Sequence, residues 1–480
     1  MVAHSSPLIR LAKTNISLSL RPYHLNKGKL LCCSHNTLKV VKSSIGVIDL
    51  IKIKGLTYLF ASIAACVSLS ACSSASVPTV SENANVTTNT TETNQLPDIS
   101  ASVQLNEEAF PVCLARLQAR ARTEGLSETT INSTIANLQF VPRVIELDQQ
   151  QPEFSQTFDN YFSKRATEWR VNEGRRLLQK HQVLLDKLAQ EYGVPPQYIL
   201  SFWGLETNYG SYKGKMSVLN SLATLACEPR RSNYFTIELM QALKLKEKYQ
   251  FDDDTMVGSW AGAMGHTQFM PSAYAKYAVD ADGDGKADLW NSTTDALTSA
   301  ANFLQHLGWQ RNQRWGREVL LPKNYSYNYL GAKQPLPLSQ WAALNVTQAN
   351  GQPLPIVDIQ AALYLPAGHT GPAFLGYENF NVIMRWNRSE FYAITVGHLA
   401  DRINGGPALT VSPPEQPRLS REQVKQLQAK LNEAGFDVGK PDGVLGRNST
   451  AGIQAFQRSR NMIADGFPSP EVFTALGITL

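Results

Sequence analysis

Cysteine is scarce and unevenly placed in this 480-residue chain: there are six, and Cys32, Cys33, Cys66 and Cys72 all fall within the first 72 residues. Only Cys113 and Cys227 remain beyond them, which excludes a disulfide-dense scaffold or a cysteine-rich zinc module. Acidic residues are almost missing from the front. Residues 1–71 hold nine Lys and Arg against Asp49 alone, so of 45 basic and 40 acidic residues overall, 36 and 39 are left for the rest. A body with a balance of −3 lacks the basic surface that non-specific nucleic-acid binding needs, and no nucleic-acid partner is expected. Also lacking is an apolar run of about twenty residues, the length of an ordinary membrane span. At 43% hydrophobic and 18% charged, the chain is neither disordered nor fibrous, and its length calls for two or three globular units.

The front of the chain reads as a leader. Lys52 and Lys54 precede an apolar run from Leu56 to Val67, and small residues follow at Leu69-Ser70-Ala71-Cys72, the pattern of a secretory signal. Leu-Ser-Ala-Cys resembles the bacterial lipobox, which implies that Cys72 is diacylated and becomes the mature N-terminus. Such a lipid anchor holds a bilayer firmly, since each buried methylene contributes about 0.8 kcal/mol. Ser73 in place of Asp implies, by the same resemblance, sorting to the outer membrane, with the protein in the periplasm. No Met lies between Met1 and Met216, so either the leader (1–71) is unusually long or translation starts near Lys52. Residues 72–104, rich in Ser, Thr, Asn and Val, read as a flexible tether. In an oxidising compartment Cys113 and Cys227 either form a disulfide or stay as two buried thiols, and spacing alone leaves both open.

Residues 105–405 form the expected main domain. Phe110, Leu114 and Leu117 recur at helical spacing, as do Leu177, Leu178, Val183, Leu184, Leu185 and Leu188. Short β-type runs at Glu318–Leu321 and Ile356–Ile359 predict a minor β element. A Pro-rich linker occupies 406–418. In 419–480, Ser420 and Gln423 make a capping box before the stripe Val424, Leu427 and Leu431, and the turns Asp442-Gly443 and Asp465-Gly466 flank a helix with Ile453 and Phe456. The fold class is therefore mainly α (α+β), with a small three-helix domain at the end.

Two runs carry chemistry. In Pro195–Gly210, Ile199, Phe202, Trp203 and Glu206 share one face at i, i+3, i+4, i+7 spacing. A carboxyl group among apolar neighbours favours its protonated form, as a general acid for a glycosidic oxygen requires. In Gly258–Ser272, three Gly and two Ala permit close approach of backbone or ligand, while Ser259 and Gln268 offer neutral hydrogen-bonding groups suited to a sugar cleft. Asp252-Asp253-Asp254, the nearest candidate for a second catalytic acid, reads as a solvated loop. His266 reads as a packing residue.

With Arg230-Arg231 and Asn379–Asn387 in the same order, these runs resemble the lytic murein transglycosylase B family. The resemblance implies a lysozyme-like core with an added helical lobe, and an enzyme that cleaves peptidoglycan glycan strands without a catalytic cofactor. It implies Glu206 as sole acid/base, Ser259 and Gln268 on the sugar and its acetamido group, Met264 and Phe269 against the rings, and Arg230 and Arg231 reaching a peptide or lactyl carboxylate. Asn381 and Trp386 are further substrate-binding candidates, and other cell-wall enzymes are candidate partners. Phe303 and Trp386 stand where relatives commonly carry Tyr, so phenol hydrogen bonds near the cleft are expected to be lost.

The run Asp280-Ala281-Asp282-Gly283-Asp284-Gly285-Lys286-Ala287-Asp288 fits the start of an EF-hand loop, with Lys286 offering its backbone carbonyl. Position 12 is Asn291 rather than Glu. The family resemblance implies a longer loop in which Asp295 serves, and a structural Ca2+. Residues 419–480 resemble the peptidoglycan-binding domain appended to wall enzymes.

Overall fold

The computed structural model describes residues 109–150 and 156–480. The leader, the lipidation candidate Cys72 and the tether lie outside the described residues.

Helices dominate, and three cores organise residues 109–405. The first joins Phe110–Thr123 to the helices Val218–Cys227 and Ser232–Tyr249 through Leu114, Leu117, Leu222, Leu239 and Met240. Cys113 and Cys227 form a disulfide there, with Cα atoms 5.8 Å apart, resolving the alternative that the spacing left open. The second core surrounds the helix Pro196–Thr207. Pro196 takes the first turn, where its missing N–H costs nothing, and Tyr198 to Gly204 are all buried. The helix is thus covered on every side rather than along one stripe. Glu168–Lys180 and Glu390–Ile403 flank it, and the Ser201 hydroxyl donates to the Val396 carbonyl at 2.7 Å. A Cβ on Gly204 would sit 2.8 Å from the Tyr209 ring, so this close crossing needs glycine.

The third core lies under a five-stranded antiparallel sheet, in spatial order Leu336–Pro337, Gln360–Tyr364, Ala373–Gly376, Gly316–Leu320, Thr347–Gln348. Leu375 is opposite Arg317 on one side and Leu363 on the other. Val319, Trp341, Leu363 and Leu375 fill the space beneath. The β run expected at Glu318–Leu321 is there, but Ile356–Ile359 is not a strand: Ile356 is 99% exposed, and pairing begins at Gln360.

The C-terminal helices Arg421–Glu433, Arg447–Ser459 and Pro470–Ala475 close around Leu427, Leu431, Ile453, Phe456 and Phe473, and the capping box at Ser420 is formed. Each Asp-Gly turn is held from inside by a glutamine. Gln428 donates to Asp442 and accepts from the Gly443 N–H; Gln457 does the same for Asp465 and Gly466. The linker is tied to the main domain, because Glu318 accepts from the Thr410 and Val411 N–H groups and Gln416 donates to the Ala367 carbonyl. Asp465 also accepts from the His369 backbone N–H at 2.9 Å.

Candidate active site

The helix Pro196–Thr207 ends abruptly. Asn208, Tyr209 and Gly210 all take positive φ, and the Tyr209 and Tyr212 N–H groups turn back to the Trp203 and Thr207 carbonyls. Glu206 therefore stands in the last helical turn, half-buried. Its Oε1 accepts from the Trp386 indole at 2.8 Å and from the Tyr392 hydroxyl at 2.5 Å. Tyr392 is buried, and desolvation, followed by the charge of Glu206, pushes its phenol well above the ordinary value of 10. The phenol thus keeps its proton and acts as donor.

The site nonetheless holds a phenol hydrogen bond at a position the sequence reading did not name. Phe303 and Trp386 carry no phenol, yet Tyr392 supplies one from the start of the helix Glu390–Ile403, and Trp386 supplies an indole N–H. Sequence reasoning missed Tyr392. The available signal was a hydroxyl-bearing ring in an otherwise apolar helix stretch.

The Gly-rich run folds as a tight turn rather than a helix. Ser259 Oγ accepts from the Ala263 N–H, its own N–H donates to the Ala263 carbonyl, and Met264 and Phe269 exchange backbone hydrogen bonds. A Cβ at Gly258 would stand 2.1 Å from the Ala263 oxygen, so what approaches closely here is backbone. Ser259 and Gln268 are half-buried, and Gln268 Nε2 donates to the Lys213 and Gly265 carbonyls.

Met264 and Phe269, expected against sugar rings, are 0% and 2% exposed. They are part of the core behind the site. Phe269 packs edge-on to Trp386 with ring centres 5.4 Å apart, and Phe202 and Phe303 complete the cluster at 4.5 and 5.1 Å from the same indole. Phe269 thus helps to hold Trp386 against Glu206. His266, 7% exposed, accepts from the Trp203 indole at 3.0 Å, and burial pushes its imidazole down to about 4, so it stays neutral as a packing residue.

Arg230 and Arg231 stay 48% and 37% exposed while sharing an internal partner. Both guanidinium groups close on Asp148, which is 1% exposed, one to each carboxylate oxygen. A buried charge needs such compensation, and this partner, 82 and 83 residues earlier, left no signal in local spacing. Asn381 donates to Glu378 and lines a groove of about 320 Å3 beside the sheet, with Gln313, Asp358 and Gln360, rather than bonding to Glu206. Asp252, Asp253 and Asp254 are exposed, with Asp253 paired to Lys246.

In the acidic loop, carboxylate oxygens of Asp280, Asp282 and Asp284 lie within 4.8 Å of one another. Asp295 is buried in the first turn of Thr293–His306 and folds back to accept from the Ala281 and Asp288 N–H groups. Asp288 accepts from the Trp290 and Asn291 N–H groups, and Asn291 caps it instead of acting as a twelfth-position acid. Clustered hard oxygens, with Asp295 returning to the loop, fit a calcium-sized cation.

The Transglycosylase SLT domain matches residues 109–401 and the Putative peptidoglycan binding domain matches 420–476. The chain belongs to the transglycosylase SLT family. Among its relatives, the membrane-bound lytic murein transglycosylase B of Escherichia coli is 37% identical over 246 residues, 51% of this chain and 66% of that protein. SltB3 of Pseudomonas aeruginosa, solved with NAG-anhNAM-pentapeptide, is 40% identical with a TM-score of 0.74, covering 77% of this chain and 99% of that one. The Escherichia coli lytic transglycosylase Slt35, solved with calcium, is 32% identical with a TM-score of 0.54, covering 61% and 92%. The mainly helical, lysozyme-like catalytic fold with a helical C-terminal module agrees with these neighbours.

Proposed function

We propose that this family member is a lytic murein transglycosylase that cleaves the β-1,4 bond between N-acetylmuramic acid and N-acetylglucosamine and leaves a 1,6-anhydro ring. The observation that carries the reading is Glu206 half-buried, with Oε1 engaged by Trp386 and Tyr392. With two donors on Oε1, the proton of the neutral acid belongs on Oε2. Oε2 gives it to the bridging oxygen as the bond to C1 breaks, and the departing sugar leaves as an alcohol. Positive charge at C1 is relieved when O6 of the same sugar closes on it, and the O6 proton returns to Glu206. No water is consumed, so one carboxyl group performs both steps. A hydrolase would usually need a second carboxyl group about 5 to 9.5 Å away.

The small C-terminal domain holds the enzyme on the wall, raising local substrate concentration without new contacts in the cleft. Membrane attachment is assigned to acylated Cys72, with the protein in the periplasm and anchored to the outer membrane. Other wall enzymes are its candidate partners. Asp280, Asp282, Asp284 and Asp295, with the Lys286 carbonyl, would hold a structural Ca2+ that fixes the loop and takes no part in acid catalysis.

Mass spectrometry of murein digests tests the reading: anhydro ends are one water lighter than reducing ends. Reducing ends would replace it with a hydrolytic muramidase, and binding without release would leave a wall-binding lipoprotein. For the loop, calcium at about 100 times its Kd should stabilise the fold by about 2.7 kcal/mol. Asp280→Asn with Asp284→Asn should abolish that rise in Tm.

A further inference from the structure

With Arg230 and Arg231 turned toward Asp148, a different cation is placed to meet an anionic substrate. Arg165 closes the helix Phe158–Arg165, and its guanidinium carbon lies 3.8 Å from the centre of the Tyr161 ring. Tyr161 is buried and packs against Phe391 with ring centres 5.9 Å apart, and Tyr392, the next residue, donates to Glu206. Tyr161 and Phe391 thus link the Arg165 guanidinium to the start of the helix that carries the acid's donor. Arg165 is half-exposed, and among the described residues no carboxylate pairs with it or with Arg170.

Arg170 strengthens this edge. Its Nε donates to the Gly204 carbonyl, two residues before Glu206, and one terminal nitrogen donates to the Lys164 and Arg165 carbonyls. The end of the Arg165 helix is thus clamped to the helix that carries the acid. Burial lowers the pKa of Arg170, the Tyr209 phenol opposes that shift, and repulsion from Arg165 adds to it, so the two guanidinium groups feel each other. A guanidinium lying flat on an aromatic ring keeps its N–H edge free for a planar, two-oxygen partner.

The geometry points to Arg165 as the anion-binding position beside Glu206, its ligand a carboxylate of the peptide stem carried by the muramic acid. This rests on the murein reading above. In stem-bearing strands the lactyl carboxyl is already bound up in an amide, so the stem's carboxylates are the available anions.

The test pairs Arg165→Met, which keeps an apolar stem over Tyr161, with two substrates: stem-bearing strands, and the same strands with their carboxylates converted to amides. Wild type should lose roughly tenfold in KM on amidation, the loss of one charge-assisted contact. Arg165→Met should show the raised KM on both substrates, with kcat little changed, and Arg165→Lys should fall between. The assignment is overturned if Arg165→Met matches wild type on native strands, or if it loses equally relative to wild type on both. Wild-type enzyme that frees no anhydro ends from either substrate would bring down the murein reading together with this assignment. The other two outcomes bring down the assignment alone.

Discussion

Asp148 and Glu206 are both carboxylates drawn into the fold, and they keep opposite company. Asp148 meets two guanidinium groups, one on each oxygen; Glu206 meets an indole and a phenol on a single oxygen. Cationic partners fix a carboxylate in its charged form, which suits a joint between the helix Pro142–Gln150 and the turn Pro229–Arg231. Neutral donors orient a carboxyl group and favour its charged form less strongly than cations do, which suits a group that must give up a proton and take it back. The difference separates an ionic tie from a reactive acid, although both look alike as lone acids in helices.

The largest effect should come from Glu206→Gln. The amide oxygen can still accept from Trp386 and Tyr392, so Tm should stay near wild type while release of anhydro products falls by about a thousandfold or more. Asp148→Asn should do the reverse. It leaves two cations facing an amide, and denaturant unfolding should show a loss of about 3 kcal/mol, with kcat kept at temperatures where the protein is folded. A variant of Asp148 that abolished turnover while leaving Tm unchanged would erase the contrast.

Tyr392→Phe sharpens it further. One donor that favours the ionised acid is removed, so the alkaline limb of the kcat/KM profile should move to higher pH, with kcat lower by about tenfold. The smallest effect concerns two neutral imidazoles. Burial lowers His266 and His398 from 6.5 to about 4 in the folded protein. The unfolded chain therefore takes up these protons first, so stability is complete above pH 6.5 and declines as pH falls toward 4. His266→Gln or His398→Gln should each flatten the fall in Tm between pH 6.5 and 4.

Much of this arrangement was legible in the sequence where information is local. The helix around Glu206, the capping box at Ser420 and the return of Asp295 to the acidic loop all follow from spacing or family likeness within a few turns. The rest depended on partners far along the chain. Tyr392 lies 186 residues from Glu206, and Asp148 lies 83 residues from Arg231, so neither pairing leaves a local pattern. Family likeness implies Met264 and Phe269 against sugar rings, but apolar residues in a Gly-rich run suit cores as well, and their burial places them in the core. Ile356–Ile359 has strand composition, but Leu336–Pro337 pairs with the strand only from Gln360 onward.

The bond between Cys113 and Cys227 encloses the stretch of chain that contains Glu206. A protease that nicks the backbone anywhere from Leu114 to Ala226 would leave its two fragments covalently joined. Such a cut would stay invisible on a denaturing gel until a reductant was added, so an intact-looking band is no proof of an intact peptide chain around the catalytic helix.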